Sequence, residues 1–239
     1  MEKKWYVTGE SFAGRYVPAL AYWILKNNDL INANKSQDSP INLQGIMLGD
    51  GYVDGLSQRV SEIGQAIAAS LVAPYQIPVV KTLAVLCENS AAVKGLGSLD
   101  SVEACSQIPE FIADVSDIDP IAFGNTVNET AEFGAHNADY LNNPDVYKAL
   151  NVQGSKKKGL LYDDFGEQSA IALQAQSLNN SYVYINYILT RIPCLIYEGN
   201  FDAKDGTYGA FEWVKNLAAP WPEVLNVIYL ISSYQWLLM

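Results

Sequence analysis

The sequence predicts an α/β fold in which a mostly parallel sheet carries a helical insertion. Two observations support this fold class. A strand, a helix and a second strand follow one another within the first 50 residues, and a further apolar strand appears only near the other end of the chain. The residues between these regions have helical patterning. The alternation of strand and helix predicts a parallel sheet, and its interruption predicts an inserted set of helices.

The first region predicts one βαβ unit. Residues 5–8 are β-prone and are followed by Gly9. From Val17, apolar residues recur at the i, i+3, i+4, i+7 and i+8 positions of one helix face, and the polar residues 27–29 are expected to end that helix. Residues 41–48 predict the second strand.

The middle of the chain predicts helices, and the sheet resumes afterwards. Short helical patterns cover residues 59–71, 79–87 and 144–150. Residues 192–197 form a short apolar run that predicts a buried parallel strand. We therefore divide the chain into a first core segment, a helical cap insertion and a second core segment, at residues 1–51, 52–190 and 191–239.

The composition is that of a globular protein with excess acidic groups. Of 239 residues 49% are hydrophobic, and 15 Lys and Arg face 26 Asp and Glu, which gives a net charge of −11. This charge argues against a nucleic-acid partner, and no apolar run is long enough to span a membrane. The single histidine, His136, and the absence of close cysteine pairs argue against a metal site, and no cofactor is expected.

Ser11 lies where the first strand passes into the helix. It stands between the small residues Gly9 and Ala13, which a sharp turn between closely packed strand and helix requires. In such a nucleophile elbow the backbone N–H of Phe12 faces the developing oxyanion. Ala13 departs from the general pattern, which has glycine at this position. An ordinary strand–helix turn with a capping serine is the alternative that this short pattern leaves open.

Four blocks of sequence resemble the serine carboxypeptidases, a clan of α/β-hydrolases. They occur in the order of that family, and the resemblance extends over residues 5–217. The sequence of residues 49–52 is similar to that of the vitellogenic-like members of the family. The four blocks are residues 9–19, residues 41–46 with 49–51, residues 140–146 and residues 194–202. The resemblance implies an α/β-hydrolase fold with an incomplete, mostly parallel sheet.

The resemblance also implies a reaction and the residues that perform it. A Ser-Asp-His triad would hydrolyse the C-terminal peptide bond of peptide or protein substrates. Ser11 matches the nucleophile and Asp202 the triad acid, whereas Asp205 lies close by but is disfavoured by the family pattern. Glu10 matches the glutamate that binds the substrate carboxylate together with a second acid, and the shared proton of such a pair raises one pKa.

Two departures from the family affect the expected activity. No histidine follows Asp202, and His136 precedes it within the predicted cap. The family also carries a block before the elbow, so the chain is expected to be a fragment truncated at both ends and nearly inactive alone. A catalytically inactive binding protein is one alternative, and an acyltransferase or esterase on the same scaffold is another.

The cysteines and glycosylation sequons concern the cellular compartment. Three cysteines allow one disulfide, and a bridge between Cys87 and Cys105 would close a loop of about 18 residues in the cap. The family commonly has disulfides there, and the resemblance implies a secreted or lysosomal/vacuolar protein. Cys194 is expected to be a small core residue. Candidate N-glycosylation sites are Asn34, Asn128 and Asn179.

Overall fold

A three-stranded parallel sheet forms one half of the molecule. The computed structural model describes residues 3–119, 126–154, 159, 161, 162 and 166–217. Strand β1 (Trp5–Glu10) pairs with β2 (Leu43–Gly49), which in turn pairs with β3 (Cys194–Tyr197), so β2 is the central strand. The parallel sheet and the helices around it confirm the predicted α/β class.

Helix α1 (Ala13–Asn32) connects β1 to β2 and covers one face of the sheet. The expectation that residues 27–29 end this helix is wrong, because it continues to Asn32. The reason is a long-range contact: the Asn28 side chain donates to the carbonyl oxygen of Ile41 at 2.7 Å and accepts from its N–H at 3.0 Å. These bonds attach the last helical turns to the start of β2.

The helical insertion lies between β2 and β3. Its main pair is α3 (Ile77–Lys94) and α4 (Leu99–Ser116), which pack against each other and against α2 (Gly55–Ala68). The other helices of the insertion are α5 (Val127–Leu141), α6 (Pro144–Ala149), α7 (Glu167–Leu173) and α8 (Tyr182–Leu189). After β3 the described chain ends with α9 (Thr207–Lys215). The predicted patterns at 59–71, 79–87 and 144–150 fall on α2, α3 and α6.

Side-chain caps determine where two of these helices begin. Asp54 has an extended backbone and its carboxylate accepts the Ser57 N–H, which makes it the N-cap of α2. Thr126 and Glu129 form a reciprocal capping box at the start of α5. Both caps use polar side chains to satisfy backbone N–H groups that a helix leaves without partners at its first turn.

The described residues form two apolar cores, one beneath the sheet and one within the insertion. The sheet core lies between α1, β2, α8 and α9 and centres on Ile46, Leu48 and Trp213, all fully buried. The second core joins α2, α3 and α4. Within it Cys87 and Cys105 form a disulfide, which confirms the predicted pair.

One helix of the sheet half is also tied to the insertion. The Arg15 guanidinium on α1 donates to the carbonyl oxygens of Ser177 and Asn179, and it lies 5.4 Å from the centre of the Tyr52 ring. Burial lowers the pKa of Arg15, which nonetheless stays charged at neutral pH. The base of the insertion is therefore held against the start of α1.

The opposite face of the sheet and its β1 edge are exposed. Trp5 and Tyr6 on β1 are 56% and 53% exposed, and Leu195 on β3 is 48% exposed. Because α1 covers only one face, alternate positions of β3 remain in contact with solvent, as Leu195 and Tyr197 do at 48% and 45% exposure. Among the described helices none has the length and apolar character needed to cross a membrane.

Candidate active site

Ser11 occupies a sharp turn at the carboxyl end of β1. Its φ of 56° lies in the left-handed region, which non-glycine residues rarely adopt. The Ser11 N–H donates to the carbonyl oxygen of Gly49 at 3.0 Å, and its own carbonyl accepts from Gly14 at 2.9 Å. These two bonds connect the neighbouring strand, the turn and the start of α1, so the hydroxyl is presented at the edge of the sheet.

The turn requires small residues because the backbone segments approach closely. A Cβ added at Gly9 would collide with the Cβ of Ala13. A Cβ added at Gly14 would lie 2.6 Å from the backbone nitrogen of Tyr52, which is itself bonded to the Ser11 carbonyl at 2.8 Å. The small residues around Ser11 predict the first of these contacts but not the second, since Tyr52 follows a different strand.

Phe12 and Glu10 flank the serine on either side. Among the backbone hydrogen bonds of the described residues none uses the Phe12 N–H, which lies at the first turn of α1. A helix N-terminus has a partial positive charge that favours an anion at this position. Glu10 is exposed at the last position of β1, and its charge contributes to the electrostatics of Asp50 at the end of β2.

Asp205 is the carboxylate that contacts Ser11. The Ser11 hydroxyl donates to Oδ2 of Asp205 at 3.4 Å. Asp205 is only 2% exposed, and its Oδ1 is buried without a hydrogen-bond partner among the described residues. Burial raises the pKa of Asp205 to about 7, with Lys204 opposing this effect and Asp202 adding to it. The structure therefore places the residue that the family pattern disfavours directly beside Ser11.

Asp202 has a different local arrangement. Its Oδ1 accepts the backbone N–H groups of Lys204 at 2.8 Å and of Asp205 at 2.7 Å. These bonds fold the segment after β3 into a turn and direct the chain towards α9. Burial raises the pKa of Asp202, and the two backbone donors counteract that rise. Asp202 thus shapes the loop that carries Asp205.

A buried ion pair lies behind Asp205. The Arg59 guanidinium donates to Glu62 at 2.7 Å, and both side chains belong to α2. The positive charge of Arg59 lowers the pKa of Asp205, and the charge of Asp205 in turn raises the pKa of Glu62. The sequence does not predict a buried pair here, because oppositely charged residues three apart on a helix are typical of a solvated surface.

Two further carboxyl groups lie at the ends of the central strands. Asp50 follows β2 and accepts the Gly199 N–H at 2.5 Å. Burial raises the pKa of Asp50 to about 6, and burial together with the charge of Asp50 raises that of Glu198 to about 10. Both carboxylate oxygens of Glu198 are buried. Acidic side chains therefore cluster at the carboxyl end of the sheet.

The remaining predicted residues lie away from this cluster. His136 is exposed on α5, a helix that packs on α6. Asn34 is exposed after α1, Asn179 is half-buried beside Arg15, and the side chain of Asn128 lies outside the described residues. Cys194 packs partly against the sheet core, where burial raises its pKa to about 12. No group of three or more potential metal ligands occurs within the described residues.

The comparisons with known proteins agree with this architecture. The profile of the serine carboxypeptidase family matches residues 1–227. Serine carboxypeptidase-like 50 of Arabidopsis thaliana is 24% identical over 213 residues, which cover 89% of this chain and 44% of that protein. A pheromone-processing carboxypeptidase of Arthroderma benhamiae is also 24% identical, over 89% of this chain and 37% of its own length.

A solved structure has the same fold. It is the prohormone-processing carboxypeptidase of Saccharomyces cerevisiae, with a TM-score of 0.68 and 16% identity over 90% of this chain and 48% of that one. The chain thus spans less than half the length of the relatives that it matches. Since the family profile covers nearly all of its residues, this chain belongs to the serine carboxypeptidase family.

Proposed function

We propose that the protein is a serine-type carboxypeptidase that removes residues from peptide C-termini. The observation that carries this proposal is Ser11, held at a φ of 56° with its hydroxyl bonded to a buried carboxylate. Oγ of Ser11 attacks the last peptide carbonyl, the C–N bond breaks, and the released residue takes a proton. Water then hydrolyses the acyl-enzyme and regenerates the hydroxyl.

Three neighbouring groups have roles in this proposal. The Phe12 N–H donates to the oxyanion of the tetrahedral intermediate. Asp202 is the acid that orients a catalytic base, as the family pattern implies. Glu10 binds the carboxylate of the substrate together with a second carboxylic acid, as the resemblance to the family implies. Such a pair binds a carboxylate only when one member carries a proton, which favours acidic pH.

A catalytically inactive protein that binds peptide C-termini is the second candidate. One observation favours it: the single histidine of the chain is exposed on α5. This candidate keeps the carboxylate-binding role of Glu10 and predicts binding without turnover. An acyltransferase or esterase on the same scaffold would use Ser11 in the same way but transfer the acyl group to an alcohol or act on an ester.

We also propose that the protein is secreted or resides in a lysosome-like or vacuolar compartment. The disulfide between Cys87 and Cys105 supports this location, because such bonds persist in oxidising compartments. Glycosylation at Asn34, which is exposed, would be a further mark of the secretory route.

The test uses two peptides that differ only at the C-terminus. An N-blocked peptide with a free carboxylate and its C-terminal amide are incubated with the protein at pH 4–7, and the products are identified by mass spectrometry. We expect loss of the terminal residue from the acid only, none with Ser11→Ala, and a raised KM with Glu10→Gln. Equal cleavage of both peptides would contradict the carboxypeptidase assignment, and binding without cleavage would favour the second candidate.

A further inference from the structure

We propose that Gln65, a buried glutamine of α2, is a positioning residue that fixes Asp202 for its role as the acid of the catalytic site. This inference rests on the proposed function, in which Asp202 orients the catalytic base. It gives a helix of the insertion a part in the reaction. Gln65 does not touch the reacting atoms and acts only through the backbone of Asp202.

A side-chain hydrogen bond joins α2 to the loop after β3. The amide nitrogen Nε2 of Gln65 donates to the backbone carbonyl oxygen of Asp202, 137 positions further along the chain. Gln65 is only 5% exposed, so water competes little for this carbonyl group. Removal of the donor would leave the carbonyl oxygen without a partner in a poorly solvated place, which makes the contact costly to lose.

The residue that ends the loop leaves room for this contact. A Cβ added at Gly206 would collide with the carbonyl oxygen of Asp202 and with the side-chain amide of Gln65. The φ of Gly206 is −72°, a value that any residue adopts, so the backbone angle does not require glycine here. The close approach of the Gln65 amide to the loop does require it.

Gln65 belongs to a buried polar face of α2. Gln58, Glu62 and Gln65 have the i, i+4 and i+7 spacing of one helix face and are 0%, 3% and 5% exposed. Side chains of these types are mostly exposed in proteins, so their burial together requires specific partners. Oε1 of Gln58 accepts the Val53 N–H at 2.7 Å, and Nε2 of Gln58 donates to the Gly51 carbonyl oxygen at 3.0 Å.

This face of α2 therefore holds the chain segments that follow two adjacent strands. Gln58 binds the segment after β2, whose Tyr52 N–H donates to the Ser11 carbonyl oxygen at 2.8 Å. Gln65 binds Asp202 in the segment after β3. Residues seven apart on a helix are separated by about 10.5 Å along its axis. A rigid helix thus sets the spacing between the serine turn and the acid loop more precisely than the loops could by themselves.

The contact with Gln65 fixes the direction of the Asp202 side chain. Oδ1 of Asp202 accepts the N–H groups of Lys204 and Asp205, so the carboxylate is already held by the turn that follows it. The bond from Gln65 holds the backbone of the same residue, and the two attachments together prevent a rotation that would swing the carboxylate. A triad acid must keep its direction, because it holds the imidazole in the correct orientation and tautomer.

Charged groups of three segments act on this part of the site. They are Asp202, Lys204 and Asp205 on the loop, Arg59 and Glu62 on α2 and Asp119 after α4. Burial raises the pKa of a carboxyl group, and neighbouring negative charges raise it further. A carboxyl group introduced at position 65 is therefore expected to be protonated at acidic pH and to ionise as the pH rises.

The experiment removes the donor and measures kcat and KM on the N-blocked peptide with a free carboxylate. Gln65→Met keeps the size of the side chain but cannot donate. We expect kcat to fall about 10–100-fold with little change in KM, because a misplacement of about 1 Å at a catalytic group costs up to about 10² in rate. Labelling of Ser11 by a fluorophosphonate, which forms a P–O bond to the serine oxygen and loses fluoride, should slow as well.

Gln65→Glu gives a readout that a packing role alone would not produce. At pH 5 the protonated carboxyl group donates its O–H to the Asp202 carbonyl oxygen, so kcat should recover towards the wild-type value. At pH 8 the ionised group cannot donate and repels the Asp202 carboxylate, so kcat relative to the wild type should fall to the level of Gln65→Met. Gln65→Met itself should keep a constant ratio to the wild type from pH 5 to 8.

The matched control is Gln107→Met. Gln107 is exposed on α4 and donates to Glu110 of the same helix at 3.1 Å, so this variant loses a glutamine donor that does not bind the loop. It should keep the wild-type kcat and KM.

The outcomes separate this inference from the proposed function. If the wild type cleaves the acid peptide but Gln65→Met keeps its kcat, or Gln65→Glu keeps a constant ratio from pH 5 to 8, the carboxypeptidase assignment stands and the role of Gln65 is overturned. A wild type as inactive as Ser11→Ala overturns both proposals. Should Gln65→Met fail to fold, the pH series of Gln65→Glu decides by itself.

Discussion

At the scale of single residues, the candidate site depends on how closely two backbone segments approach at Gly14. The backbone of Tyr52 lies against the α carbon of Gly14 and donates to the Ser11 carbonyl. Any side chain at position 14 would push Tyr52 away and loosen the turn that holds Ser11 at its positive φ. Gly14 is therefore required for space rather than for backbone flexibility.

This close approach predicts the effect of Gly14→Ala. The added Cβ would lie 2.6 Å from the Tyr52 nitrogen, and relief of that clash should cost about 1–3 kcal/mol of the free energy of unfolding. Urea unfolding measures this loss, and fluorophosphonate labelling should also slow. Gly154→Ala is the control, because a Cβ there meets nothing within 4 Å. Equal stability of the two variants would show that the segments separate without cost.

At the scale of elements, the α3–α4 pair is the part of the insertion with a covalent link. Cys87 and Cys105 are both buried in the core shared with α2, and the bridge joins the two helices across it. Apolar packing and the disulfide act on the same pair of helices. The insertion therefore has its own stabilising interactions, separate from the sheet core.

Removing the disulfide should destabilise the protein measurably. Its sequence separation of 18 corresponds to about 3 kcal/mol in the chain-entropy account of crosslinks. We expect the Cys87→Ala/Cys105→Ala double variant to unfold at lower urea concentration by that amount. Cys194→Ala, outside the bridge, should lose far less. A thiol assay of the denatured, unreduced wild type should find one reactive cysteine, and three would mean that the bridge does not form.

At the scale of the whole molecule, acidic groups collect at the carboxyl end of the parallel sheet. Asp50, Glu198, Asp202 and Asp205 follow the ends of two adjacent strands, and burial raises the pKa of each. The net charge of −11 adds a general self-repulsion at neutral pH. The folded protein thus binds protons more strongly than the unfolded chain does.

The raised pKa values of these carboxyl groups predict that the free energy of unfolding decreases as the pH rises. A carboxyl group whose pKa is raised by folding contributes stability that is present below its unfolded pKa of about 4 and lost as the pH passes its folded value. The stability that Asp50 contributes should be lost between pH 4 and its folded pKa of about 6. The stability that Glu198 contributes should be lost more gradually, up to its folded pKa of about 10. Thermal melts from pH 4 to 9 should show a falling Tm.

The Glu198→Gln variant tests the origin of this pH dependence. Glutamine keeps the shape of the side chain but does not titrate, so the decline of Tm above pH 6 should become shallower. A Tm that rises from pH 5 to 8 would contradict the account, because it would mean that folding lowers rather than raises the carboxyl pKa values. An unchanged slope in Glu198→Gln would assign the effect to the other carboxyl groups.

The local features of the fold were largely predictable from the sequence. Strand-like composition located β2, a short apolar run located β3, helix periodicity located α1, α2 and α3, and the small residues around Ser11 predicted the sharp turn. These signals depend on neighbours a few positions apart, which a sequence displays directly. The end of α1 was misplaced because a contact with Ile41, far along the chain, extends the helix.

Residue identities alone determined the α/β class, the position of Ser11 and the resemblance to serine carboxypeptidases. Only the tertiary structure decided which acid touches the serine. Asp202 and Asp205 are three residues apart in a loop, and the pattern favoured Asp202. The structure uses Asp202 to close the turn and brings Asp205 to Ser11, 194 positions away. Such a choice depends on the packing of β3, α2 and α9, which no local pattern records.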